Sequence, residues 1–102
     1  MANYVFLYSG GSIAETPEAQ EKSMAEWTSW FGELGESVTD GGAPFGAAAS
    51  VTPDGTANGG SLNASGYTLI SATSLEDATA KAKGCPVLAT GGSVDVYEAI
   101  QM

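Results

Sequence analysis

The sequence predicts an α+β domain, an antiparallel sheet with two helices on one of its faces. Three observations lead there. The chain opens on a strand-like stretch, NYVFLYSGG, and closes on another, GGSVDVYEAI. Two stretches with helical spacing and capping residues lie between them. Turn-rich segments of Gly, Pro, Asn and Ser punctuate the rest. At 102 residues the chain is expected to form one domain, 1–102, large enough to bury a core without staples.

The first strand is apolar on both parities, with Tyr4, Phe6 and Tyr8 on one side and Val5 and Leu7 on the other. Such a strand wants both faces covered. A helix is expected after it. Thr16 suits the N-cap and Pro17 the first helical position. Glu18 and Glu21 sit near the positive end of the macrodipole. Met24, Trp27, Phe31 and Leu34 follow a 3-4-3 spacing that builds one apolar stripe. Trp30 falls about 70° off that stripe at ~100° per residue, which makes it a boundary residue. Glu18, Lys22, Glu26 and Glu33 fall on the opposite side, and Gly35 is a helix stop.

Short strands are expected near Val38 and between Gly46 and Val51, with PDGT (53–56) as a turn and TANGGSLNAS as a loop. GYTLISA alternates Tyr67, Leu69 and Ser71 against Thr68 and Ile70, as a strand does. SLEDATAKAKG carries the signals of a short helix. Ser74 and Asp77 resemble a capping box, and Leu75, Ala78 and Ala82 give a narrow apolar face. Lys81 and Lys83 complement the dipole, and Gly84 is the natural residue after the cap. In the last strand Val94, Val96 and Ile100 alternate against Asp95, Tyr97 and Ala99. Glu98 breaks the valine parity.

The expected order is thus β-α-β-β-α-β, the split βαβ or ferredoxin-like plan. One layer of helices leaves the other sheet face bare. Two such sheets packed face to face would bury it, so the chain is expected to pair with itself as a homodimer.

Read in blocks, NYVFLYSGG, MAEWTSWFGELG, VTDGGAPFG, PDG, SGYTLISATSLEDATAKAKGCP and GGSVDVYEAIQM together resemble the YCII-related (DGPF-domain) proteins of the dimeric α/β barrel group. The resemblance spans essentially the whole chain. It implies a ferredoxin-like subunit, a homodimer with sheets face to face, and a cleft between sheet and helices able to take a small molecule. It also marks departures. Ser23 stands where relatives often have His, and where close relatives often read Cys-Pro-His-Leu this chain reads Cys85, Pro86, Val87, Leu88. DGGAPF (40–45) shares letters with DGPF but not spacing.

Composition narrows the chemistry. Twelve acidic residues face three lysines, with no His, for a net charge of −9, and there is no Arg. Such a field repels phosphate and argues against nucleic acid or an anionic membrane surface as partner. Without His, no Ser-His-Asp or Cys-His arrangement can form. The opening residues lack the pattern of a signal peptide and no apolar run is long enough to span a membrane, so a cytoplasmic protein is expected. No cofactor or metal is expected. Asp54, Thr56 and Asn58 echo half a calcium loop, but its twelfth position is Ser65.

Cys85 reads as a small apolar residue after a helix C-terminus, where the dipole disfavours a thiolate. The three GGS runs read as turns. Asp40 is a turn aspartate or, at the mouth of a cleft, an acid-base carboxylate. Tyr8 is the other catalytic candidate. Tyr8, Trp30 and Tyr67 are the candidate ligand-cleft residues. The function expected is small-molecule binding or an accessory role without His-based catalysis. The alternatives are a weak enzyme using Asp40 and Tyr8, and an interaction module using the acidic helix face.

Overall fold

The structure, a computed structural model, describes residues 2–10, 15–60 and 64–100. The chain is α+β. Strand β1 (Ala2–Ser9) is followed by helix α1 (Pro17–Leu34), a 3₁₀ turn (Gly35–Ser37), β2 (Val38–Pro44) and a β3 (Ala49–Thr52)–β4 (Gly55–Asn58) hairpin. Strand β5 (Ala64–Ala72), helix α2 (Leu75–Ala82), a second 3₁₀ turn (Pro86–Thr90) and β6 (Ser93–Ala99) complete it. The main sheet runs β2-β5-β1-β6 with every neighbouring pair antiparallel. The β3–β4 hairpin forms a separate two-stranded sheet.

The middle of the chain differs from expectation here. The strand near Val38 extends to Pro44, and Thr56, Ala57 and Asn58 are strand β4 rather than loop. Pro53 and Asp54 make the turn between β3 and β4. Those short strands carry little apolar periodicity, since Val51 is their one large apolar residue and it is 77% exposed. Residues 61–63 of the expected loop lie outside the described residues, as do parts of the GGS runs at 10–12 and 59–61.

The core lies on the β1 face of Tyr4, Phe6 and Tyr8. These pair in register with Ile70, Thr68 and Gly66 of β5, and with Glu98, Val96 and Val94 of β6. Both helices cover this face, α1 through Trp30 and Leu34, α2 through Ala78 and Ala82. The α2 alanines let that helix lie close to the strands. Helix α1 meets the sheet through rings instead, with Trp30 stacked on Phe6 at 6.0 Å and Trp27 edge-on to Tyr8 at 5.2 Å.

The caps explain where the helices begin and end. The Thr16 hydroxyl accepts from the Ala19 N–H at 3.1 Å, and Pro17 follows at the first helical position. The Ser74 hydroxyl accepts from the Asp77 N–H at 3.0 Å. The reciprocal half of the box is shifted by one residue: the Asp77 carboxylate accepts from the Thr73 N–H and hydroxyl, and from Lys81 Nζ at 2.8 Å. Lys81 and then Thr73 hold the Asp77 carboxyl below the usual carboxylate range.

Four expected core or cap assignments are corrected. Trp30 is a core residue at 3% exposure, not a boundary residue, and Met24 is 70% exposed. Trp27 already lies over Tyr8, the last helix-facing residue of β1, so the preceding turn of α1 runs past the sheet. Leu75 is exposed because it begins α2, beyond the end of β5. Gly84 follows the α2 cap, but not in the left-handed conformation. It is glycine because a Cβ would come within 3.1 Å of the Trp30 ring, whose indole N–H donates to the Lys81 carbonyl at 3.1 Å. Glu98, the parity oddity, is exposed at the end of β6 and so needs no buried partner.

Among the described residues, no helix covers the opposite sheet face. Val5, Leu7, Tyr67 and Leu69 are half-buried there, and Tyr97 is 52% exposed. Phe45 stacks on Tyr67 at 5.7 Å.

Candidate functional site

The sequence DGG at 40–42 breaks the regular ladder of β2. Pairing with β5 shifts register between Val38 and Asp40 and again between Asp40 and Ala43. The Asp40 carboxylate accepts from the Gly42 N–H at 2.9 Å, closing a local turn. Gly42 sits at φ +75°, and a Cβ there would lie 1.7 Å from the Tyr67 carbonyl oxygen. No other residue fits. Bulges of this kind re-aim main-chain groups away from the ladder. Here the Gly41 carbonyl is aimed at the Thr68 side chain and accepts its hydroxyl proton at 3.1 Å.

A cleft of about 250 Å³ opens beside this bulge, between β2, the start of β5 and helix α1. Trp27, Phe31 and Val87 form one side; Gly42, Ala43 and Pro44 form the other; Tyr8, Gly66 and Thr68 line it from the sheet. Gly66 lies opposite Tyr8 in register, and its missing side chain lets β2 close in, since a Cβ would come 3.1 Å from the Ala43 carbonyl oxygen and 3.3 Å from Pro44 Cα. The Tyr8 hydroxyl donates to Thr68 Oγ1 at 2.7 Å. Thr68 is completely buried, on the parity of Ile70. Burial raises the Tyr8 phenol well above its usual value, against a smaller opposing effect of the Thr68 hydrogen bond.

No charged side chain among the described residues lines this cleft. Among the described residues, no group of three or more His, Cys, Asp or Glu side chains stands together to hold a metal ion. The arrangement can enclose a small apolar body and offer it hydroxyl and main-chain contacts. Among the described residues lining it, the one side-chain acid is the Tyr8 phenol, whose proton burial holds in place.

The candidate residues divide. Tyr8 is in the cleft, with its hydroxyl in the Thr68–Gly41 chain. Tyr67 also borders it. Strand alternation, however, places the Tyr67 ring on the face opposite Thr68, against Phe45, so it offers the cleft main chain. Trp30 lies outside the lining residues. It fills the core between Phe6 and the end of α2. Asp40 is exposed, with its carboxylate committed to the bulge, and is not a lining residue either. Cys85 is buried, and burial pushes its thiol up to about 11, partly offset by a hydrogen bond from the Val87 main chain.

Reading the sequence alone missed Trp27, Phe31, Thr68 and Val87 as lining residues. A signal existed for Thr68, a hydroxyl on the apolar parity of a strand. Trp27 and Phe31 were marked as a stripe, but a stripe does not show where its sheet ends. Val87 and Ser23 both line hollows that Trp27 also lines. Val87 stands in the cleft and Ser23 in an adjoining hollow that Trp27 and Val87 also line.

No family model, no curated protein and no solved structure matches the chain. Among the described residues no helix is long and apolar enough to cross a membrane.

Proposed function

We propose that the chain is a homodimeric, ferredoxin-like protein that binds a small molecule in the cleft beside the β2 bulge, as a binding or accessory protein without catalysis. The observation that carries this reading is a cleft of about 250 Å³ walled by aromatic and small residues, with no charged side chain lining it among the described residues. Ligand sites are concave and mostly apolar, with a few placed polar groups. The ferredoxin-like part is supported by the strand order β2-β5-β1-β6, all antiparallel, with α1 and α2 on one face. The relation to the YCII-related proteins rests on the sequence blocks alone.

The dimer is supported by the helix-free sheet face. Val5, Leu7, Tyr67, Leu69 and Tyr97 make an apolar surface that a second copy would cover with the same residues, as a two-fold interface requires. A weak enzyme using Asp40 and Tyr8 has less behind it. One carboxylate is tied into a turn outside the cleft, and the phenol is held protonated.

Native mass spectrometry of freshly purified protein tests both parts. A dimer carrying a small adduct that denaturation releases is the expected result. A clean monomer would overturn the dimer, and no uptake of any small aromatic compound would overturn the cleft.

A further inference from the structure

The hydrogen-bond chain in the cleft has only one possible direction. A carbonyl can only accept, so the Thr68 hydroxyl must give its proton to Gly41. Thr68 Oγ1 is then an acceptor, and the Tyr8 hydroxyl must give its proton to Thr68. Both protons are spoken for. What remains at the Tyr8 oxygen is lone-pair capacity, and among the described residues no donor reaches it. Tyr8, Thr68 and Gly41 all line the cleft.

The walls add shape and charge. Trp27 and Phe31 present rings from α1, and Gly42 and Ala43 present almost no side chain from β2. An aromatic wall facing nearly bare backbone favours a flat body, which can stack on a ring. A charged ligand would lose its water without gaining a partner, and the net charge of −9 repels anions besides.

We infer that the cleft selects a small, uncharged, flat molecule bearing one hydrogen-bond donor, an N–H or O–H, which the Tyr8 oxygen accepts. This rests on the small-molecule reading above and names its ligand class. The bulge at Asp40, Gly41 and Gly42 is then the specificity device. By turning the Gly41 carbonyl to Thr68 it fixes Tyr8 as an acceptor.

Indole and benzofuran make the test. They share size and flatness, and only indole carries a donor. Amide chemical shifts are followed while each is titrated into the full chain. Indole is expected to bind about tenfold tighter, the worth of one well-made hydrogen bond. Tyr8→Phe should bring the two ligands level. Thr68→Val frees the Tyr8 proton to point into the cleft, and should shrink or reverse the preference while both ligands still bind. That variant also decides the matter should Tyr8→Phe fail to fold. Equal binding to the unaltered chain would overturn the donor rule and leave the cleft standing. Binding of neither would overturn the cleft reading and this inference with it.

Discussion

At position 42 a single added carbon would overlap the Tyr67 carbonyl, and the backbone there is left-handed besides. Gly42→Ala therefore combines a clash with backbone strain, and is expected to cost more than about 3 kcal/mol. Urea unfolding measures it; a loss under about 1 kcal/mol would show that the bulge can relax. Two buried protons set the alkaline limit. The folded state raises the Cys85 thiol to about 11 and the Tyr8 phenol further, so it keeps both protons after the unfolded chain has lost them. Their contribution is complete below the unfolded values and disappears as pH rises through the folded ones. Stability should therefore fall from about pH 9 upward, by about 1.4 kcal/mol per unit for each such group. Cys85→Ala should flatten the first part of that decline, between about pH 9 and 11. An unchanged slope would show that the thiol is not buried in solution.

Among the elements, those with strong end signals were legible. Thr16, Pro17, Gly35 and Ser74 mark helix ends because caps are local chemistry, settled within four residues. Strands β5 and β6 showed themselves by alternation, and β1 by a short apolar run closed by a Gly pair. The β3–β4 hairpin hid because its residues are small, polar and exposed, so no face of it is marked. The cleft was half legible for a related reason. Tyr8 could be named, but which of Trp27 and Trp30 lines it depends on where α1 overruns the sheet, a tertiary fact. The two tryptophans now make separate predictions. Trp30→Ala empties a buried site and frees the Lys81 carbonyl, and should cost about 3–5 kcal/mol. Trp27→Ala should cost visibly less, because one side of that ring already faces the cleft. Thermal denaturation of the pair decides it, and equal losses would put Trp27 in the core as well.

For the whole molecule, charge is the dominant long-range term. A net charge of −9 on 102 residues opposes compaction, and it opposes pairing of two copies even more. Added salt shortens the screening length to about 8 Å at physiological strength and should relieve both. Raising sodium chloride from low to moderate concentration is expected to raise the melting temperature. It should also shift the weight-average mass measured by sedimentation toward that of the proposed dimer. A dimer that weakens with salt would mean that ion pairs, rather than the apolar sheet face, hold it.

The two indoles of α1 lie 5.7 Å apart with planes 78° to each other, one buried and one at the cleft wall. Chromophores that close and that steeply crossed couple their electronic transitions. The chain should therefore give a paired, opposite-signed band in its ultraviolet circular dichroism. Because Trp27 alone borders the cleft, a guest that nudges it would alter the splitting while Trp30 stays put. If the cleft takes the proposed guest, that splitting would report its occupancy without any label.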